Sequence, residues 1–567
     1  TVAGVTEDPA TGLATALQLT LAGHKDQPAF ETGARAVLHP RVTDYTTDRV
    51  LKRLSKIDAI DGSDFVTLLR TPTAFATPVA EPAKVRRALK HAGAGLTPSQ
   101  TRAFAHFTSN RLTLVWGPPG TGKTFFIAKA LRRLAAARKA AGLGLRVGIA
   151  AFTHAAVENL LHEIVRGGLE EGDAVPVYKV GHASSRSADL AVLDAEEVAV
   201  NKDRIAVFGG TVYGFRKAAD AGLAPFDVLV VDEASQMKLG EFSLATMALA
   251  PDGRLLLAGD DLQLPPIIQG TYPEPEDGLP GLEGSVFEYL RARDDKTEPF
   301  THALLECWRM NRTLCRFAAS TLYGDDYLPA TDAIAAQALS LAPAPSKKTT
   351  PDDELAAWLL DPDWPLAICI LEGVRASVEN VIEANLVARL SGELRRRLLE
   401  PGAARPARAG AAADQRFWSD GLFIVSPHRA QIRAIKSALA DIYDWKADPF
   451  VDTVDKMQGQ QCQTVIVSYG VSDAETALSE ASFIYSLNRL NVSVTRAKSK
   501  CIVFLPRPLL EPSFDLLSNE DAAMGLGHMH ALVVFCREHG EERRFELSGT
   551  KGLGGSLVAI RARHGQA

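Results

Sequence analysis

Residues 112–124 read LTLVWGPPGTGKT. An apolar run, Leu112 to Trp116, goes straight into a glycine-rich turn, and FFIAKALRRLAAA follows with the composition of a helix. Gly117, Gly122, Lys123 and Thr124 satisfy GxxxxGK[ST] between a strand and a helix, the setting in which that pattern forms a phosphate loop. Glycines let backbone N–H groups converge on phosphate oxygens without side-chain obstruction. The helix N-terminus adds a favourable potential for an anion. The turn Gly117-Pro118-Pro119-Gly120-Thr121-Gly122 is therefore expected to cradle the phosphates of a nucleoside triphosphate. Lys123 is expected to reach the β- and γ-phosphates, and the Thr124 hydroxyl to bind Mg²⁺.

Such a site needs an acidic partner. DVLVVDEASQM (227–237) supplies it, a buried strand ending in Asp232 and Glu233. Asp232 is expected to hold Mg²⁺ and Glu233 to orient and deprotonate the attacking water. LLLAGDDLQLPPI (255–267) adds Gln263, placed to sense the γ-phosphate.

Working outward, short apolar runs at 112–116, 145–152, 205–209, 227–231 and 254–258 alternate with helical patterns such as AAVENLLHEIV (155–165). A second series follows, with strands expected at 366–371, 421–426, 464–469 and 501–505 and helices at 378–399 and 429–443. Ile432, Ile435, Leu439 and Ile442 share one face of the last helix. This is the α/β rhythm of parallel sheets with helices on both faces. Residues 64–70 (DFVTLLR) read as a strand, 71–83 as a Pro-rich linker, Lys84–Ala92 as a short helix and 522–536 as an apolar helix. Surface loops are expected at 270–284, 342–353 and 401–414. Phe152, Trp116 and Trp308 read as core.

The chain has 567 residues, 46% apolar and 23% charged, with a formal net charge of −6. That is too long for one core. It also lacks the basic coat of a duplex binder, so any nucleic-acid site must be a local groove. Six cysteines show neither CxxC pairing nor zinc or iron–sulfur spacing, and read as buried small side chains in a reducing, cytoplasmic setting. No stretch reads as a membrane span or signal peptide. The first residue is Thr1 rather than methionine, which points to a piece of something longer.

GDDLQLPPI closely resembles motif III of superfamily 1 helicases, and from there the resemblance widens to residues 93–510. LTPSQ (96–100) looks like the family's Q motif, which implies that Gln100 reads the adenine edge. AFTHAAVENLL (151–161) and GGTVYGF (209–215) resemble motifs Ia and Ic. ECWRMN (306–311) is similar to the motif that brings Arg309 to the γ-phosphate. FIVSPHRAQ (423–431) and VDTVDKMQGQQCQTVIVS (451–468) resemble motifs IV and V. LNRLNVSVTRAKSK (487–500) resembles motif VI, with Arg496 as the arginine finger.

The DEAS, QLPP and VTRAK forms resemble superfamily 1B, nearest the nonsense-decay and replication-repair helicases and the motor part of bacterial RecB-like nuclease fusions. No nuclease signature is legible, so a nuclease is expected as a separate domain or subunit. The resemblance implies two tandem RecA-like domains, 93–300 with the ATP site and 301–520 with the arginines. An accessory region (1–92) would stand where the family carries a small barrel and stalk, and a C-terminal extension (521–567) would pack on the second domain. It implies ATP-dependent 5′→3′ movement on a single strand, DNA favoured over RNA. Thr153, His154, Thr211, Val212, Pro427, His428 and Thr453 are the expected strand contacts, His154 and His428 being equally readable as ordinary surface histidines. Motif V usually carries Glu where this chain has Gln461, after Gln458, Gly459 and Gln460. There the family's Glu binds the ribose, and glutamine can still hydrogen-bond a hydroxyl without charge.

Two other readings compete. One is a nucleic-acid-stimulated ATPase that clamps or remodels a complex without unwinding. The other is a ring-forming AAA+ ATPase, whose phosphate loop can also read GPPGTGKT; QLPP, Arg309 and Arg496 in a second α/β domain argue against it.

Overall fold

The computed structural model describes residues 2–7, 14–19, 46–60, 63–90, 93–184, 189–268, 280–294, 297–343, 350–374, 376–457, 459–547 and 556–563. Its contacts divide the chain into Thr1–Arg49 and Val50–Ala567. The first unit holds an antiparallel pair, β1 (Val2–Glu7) and β2 (Ala14–Leu19). The barrel and stalk expected there depend largely on residues 20–45, outside the described ones.

In the second unit lie two large sheets. The first comprises β3 (Leu112–Trp116), β4 (Leu145–Ala151), β5 (Val177–Val180), β6 (Ala191–Leu193), β7 (Ile205–Gly210), β8 (Phe226–Asp232), β9 (Leu249–Gly259) and β10 (Thr301–Ala303). All pair in parallel, in the order β10-β3-β9-β8-β4-β7-β5-β6. A parallel sheet needs helices on both faces, which is why its central strands are near-continuous apolar runs. One face packs Phe208, Phe226, Leu229 and Leu257 against Phe215 and Phe242, and the other packs Val147, Val228 and Leu256 against Phe126, Leu131 and Leu160.

A short parallel pair, β11 (Glu306–Cys307) and β12 (Leu328–Pro329), leads to the second sheet. That sheet comprises β13 (Leu366–Glu372), β14 (Leu422–Val425), β15 (Val451–Asp452), β16 (Cys462–Ser468), β17 (Ala497–Pro506), β18 (Gly540–Glu546) and β19 (Ser556–Ala562), in the order β15-β14-β16-β17-β13-β19-β18. The five RecA-like strands are parallel. An antiparallel pair extends this parallel sheet at one edge, β19 running antiparallel to β13 and β18 antiparallel to β19. The C-terminal helix Glu520–Glu538 packs on the sheet and delivers this hairpin.

Other local expectations change. DFVTLLR is the helix Asp64–Arg70, because Phe65 and Leu68, three apart, both bury. The supposed linker is packed: Pro72–Phe75 is a helical turn, and Glu81 is a buried anion shared by Arg138 and Arg254, each at 2.8 Å. In the loop read at 401–414, Ala411–Arg416 is helical and buries Asp414 against Arg395 at 2.8 Å. The end of the loop read at 342–353 starts the helix Pro351–Leu359, capped by Thr350; residues 344–349 and 269–279 lie outside the described ones. Ile442 is exposed while Ile432, Ile435 and Leu439 bury. All six cysteines are free and buried. Among the described residues, no helix is long and apolar enough to cross a membrane.

Candidate nucleotide and strand site

The phosphate loop leaves β3 and is tied to the end of β9 by Gly117 N–H donating to the Gly259 carbonyl at 3.0 Å. It curls around the side chain it serves. A Cβ on Gly117 would lie 2.4 Å from Lys123 Cγ, and Lys123 Nζ donates to the Gly117 carbonyl. Gly120 has φ +77°, and a Cβ there would lie 2.6 Å from Arg309 Cβ. The helix Lys123–Ala140 starts on Gly122 and puts Thr124 in its first turn. Thr121 is buried and donates to the Pro118 carbonyl at 2.8 Å. Gln100 caps its own helix and spends its amide inside the chain: Nε2 donates to the Thr121 carbonyl at 3.2 Å, and Oε1 accepts from Thr97 N–H at 3.2 Å. It props the loop rather than facing outward.

Asp232 ends β8 and is buried. Burial and the Glu233 charge push its carboxyl up to about 7, against the Glu233 N–H (2.9 Å) and Lys123. Glu233 has φ 52°, the one positive φ on a non-glycine among the described residues. Left-handed backbone there costs about 1–3 kcal/mol, a strain that gathers at functional sites.

The seam between the sheets closes on these acids. Arg496 Nη2 donates to Gln263 Oε1 at 2.7 Å, and Gln263 Nε2 donates to Asp260 Oδ2 at 2.7 Å. Tyr323 O–H donates to the same carboxylate oxygen at 2.9 Å. Asn491 Nδ2 donates to the Leu262 carbonyl and to the Tyr323 oxygen, both at 2.7 Å. Burial raises the Asp260 carboxyl, with Lys123 pulling the other way. Arg309 donates from Nε to Gln461 Oε1 at 3.0 Å and from Nη1 to the Thr495 carbonyl at 2.8 Å.

Among the described residues, neither Arg309 nor Arg496 is in an ion pair. Both are held by neutral acceptors, and Arg496 Nε is buried with no partner. Burial, with Arg309 alongside, lowers the Arg496 guanidinium to about 10. Two adjacent guanidiniums outside ion-pair distance of any described carboxylate, beside a glycine loop, fit a polyphosphate. Asp232 beside Thr124's helix fits its magnesium. Gln461, expected at the ribose, engages Arg309 instead. Gly459 is left-handed (φ +72°), with Asn159 of the first sheet's flank 3.9 Å from where its Cβ would lie. Gln458 lies outside the described residues.

Of the expected strand contacts, Thr153 and Thr211 each cap a helix, accepting from Ala156 N–H (3.2 Å) and Gly214 N–H (3.3 Å). His154 is exposed beside Thr153. Val212 is core, so its side chain is not a surface contact. Pro427 and Thr453 follow the carboxyl ends of β14 and β15, where ligands bind open α/β sheets. His428 Nε2 meets Glu480 Oε2 at 2.6 Å.

Two aromatics read as core are exposed. Phe152 is 50% accessible, one residue beyond β4, and Trp308 is 48% accessible, its ring 3.9 Å from where a Gly122 Cβ would stand. An apolar ring beside Gly122 makes a ledge next to the phosphate loop, which the flanking Glu306 and Cys307 did not signal. Glu306 fastens that segment to the first domain by accepting from Thr97 Oγ1 at 2.8 Å and Ser99 N–H at 3.1 Å. Tyr323 and Asn491 carry no signal in the sequence, since no local pattern marks a residue whose partners lie 63 to 229 positions away.

A domain model described as an AAA domain (AAA_19) matches residues 100–269, and a second so described (AAA_12) matches 282–505. A Mus musculus protein named DNA replication ATP-dependent helicase/nuclease DNA2 is 28% identical over 464 residues, 76% of this chain but 40% of that protein. An Arabidopsis thaliana protein named DNA replication ATP-dependent helicase/nuclease JHS1 is 26% identical over 410 residues, 70% of this chain and 27% of that protein. The chain thus spans less than half the length of these relatives. Among solved structures, an Arterivirus nonstructural protein 10 (helicase) complex with DNA matches 74% of this chain and 63% of its own at 15% identity and a TM-score of 0.32. An ATP-dependent Type ISP restriction-modification enzyme, LlaBIII bound to DNA, matches 80% and 30% at 11% identity and 0.35, and neither score is high enough to bear on function. One AAA domain match thus falls on each sheet, and the DNA2 relative's match, over 76% of this chain, reaches both, so the likeness to these helicase/nuclease proteins runs across the two sheets.

Proposed function

We propose that the chain is an ATP-driven motor that moves 5′→3′ on single-stranded DNA and separates strands, within the 1B branch and alongside a nuclease domain or subunit. The observation that carries this reading is the Arg496–Gln263 contact at 2.7 Å, which sets a second-domain guanidinium over the phosphate-loop domain. We assign 93–300 as the ATP-binding domain and 301–520 as the arginine-bearing domain, with 1–92 accessory and 521–567 an extension.

In this mechanism the loop 117–124 holds the phosphates, Lys123 and Thr124 face their oxygens, and Trp308 supports the base. Asp232 and Thr124 would hold magnesium, which would supply neutralisation of phosphate charge. Glu233 orients the attacking water and takes its proton. Gln263 passes the state of the γ-phosphate to Arg496. Arg309 and Arg496 stabilise the charge on the transferring group, and release of that group removes what draws the sheets together. Phosphate contacts dominate the strand site, so sequence preference is weak. DNA is favoured over RNA because the relatives are named for DNA replication.

The test is displacement of a labelled strand from a duplex with a 5′ single-stranded overhang, with a 3′-overhang control. Unwinding of the first alone is expected. Strand-stimulated hydrolysis with both duplexes intact would make the chain a clamp instead.

A further inference from the structure

The helix Leu487–Thr495 carries Arg489 near its start and runs into Arg496. The Arg489 guanidinium lies 4.4 Å from the Phe483 ring centre and donates to Asp455 at 2.9 Å. With Ser426, Pro427 and Val454 it lines a cleft at the carboxyl ends of β14 and β15, beside the expected strand path. The cleft holds about 30 Å³, far below the roughly 150 Å³ that accepts a single six-membered ring.

Both Arg489 and His428 on this lip already meet the protein's own carboxylates, and those carboxylates are the more exposed partners. Asp455 is 47% accessible against 27% for Arg489, and Glu480 41% against 10% for His428. His428 Nδ1 is also buried without a partner. An exposed ion pair of this kind is worth only about 0–1 kcal/mol. A phosphodiester offers the same guanidinium two charge-assisted bonds and releases counter-ions from the strand.

We propose that Arg489 is a phosphate ligand for single-stranded DNA, held in readiness by Asp455 and steadied by the Phe483 ring, and that an arriving backbone phosphate displaces Asp455. This rests on the reading of the chain as a strand-binding motor. The same helix explains why the site lies here. Asn488 donates to the Asp261 carbonyl at 3.1 Å, Asn491 to Leu262, and Arg496 follows Arg489 by seven residues, two turns or about 10 Å on. Phosphate capture at one end is therefore linked to the Gln263 contact at the other.

The test is fluorescence anisotropy with a labelled 20-nucleotide oligo-dT across a salt series, on the whole chain. Arg489→Gln is expected to weaken binding about threefold to tenfold and to reduce the log–log salt slope by about 0.7, one single-strand phosphate contact. Asp455→Asn, which leaves the arginine in place, is expected to tighten binding about threefold or more. Wild-type affinity and slope in Arg489→Gln, or no gain in Asp455→Asn, would overturn the assignment. If the wild-type chain binds no oligo-dT, the motor reading falls and this inference with it.

Discussion

Asp232→Asn should make the nucleotide-free protein more stable and catalytically dead. Burial and Glu233 carry this acid from 3.8 to about 7, which corresponds to roughly 4 kcal/mol at about 1.4 kcal/mol per pH unit. Water reaching the carboxylate reduces the figure, so about 2–4 kcal/mol is expected above pH 7. The sign follows from proton linkage. Below the unfolded value both chains are neutral at this position and equally stable. As pH rises towards 7 the unfolded aspartate ionises freely while the folded one resists, so the wild type falls behind. Asparagine keeps an acceptor for the Glu233 N–H and removes the charge. The assay is thermal unfolding without nucleotide or metal, at pH 8 and pH 5. The variant should melt roughly 5–15 °C higher at pH 8 for a domain of this size, with the gap at least halved at pH 5. Magnesium-dependent hydrolysis should fall about 10³-fold. An unchanged melting point at pH 8, or a gap that ignores pH, would refute the claim that this carboxyl is stored at a cost until a metal arrives.

Glu81→Ala leaves Arg254 buried without its anion and Arg138 without its partner. It should cost about 3–5 kcal/mol, read as a lower urea midpoint for the first sheet. Trp308→Ala should raise KM for ATP about tenfold with little change in kcat, since a stacking ledge binds ground and transition states alike; steady-state hydrolysis checks it.

Much of this was legible from local patterns. Parallel strands are apolar along their whole length, so LTLVW, DVLVV and LAICIL announced themselves, and the phosphate loop needs its glycines in fixed places. What hid had physical reasons. Strand β18, GEERRFE, is an edge strand exposed at six of its seven positions, so it carries no apolar signature. DFVTLLR is too short for its period to separate helix from strand. Glu81 sits among prolines, and its burial between two arginines, with that of Phe75, is what packs the stretch. Phe152 and Trp308 are apolar but turned outward, which a hydrophobicity reading assigns to the core. The Arg309–Gln461 bond joins residues 152 positions apart.

The central claim is that one triphosphate is held from both sheets at once. The most direct measurement is strand-stimulated ATP turnover in Arg496→Ala, with thermal melting to show that the fold survives. The account predicts a loss of about 10³-fold or more at unchanged melting temperature. Turnover within a few-fold of wild type in the folded variant would contradict it.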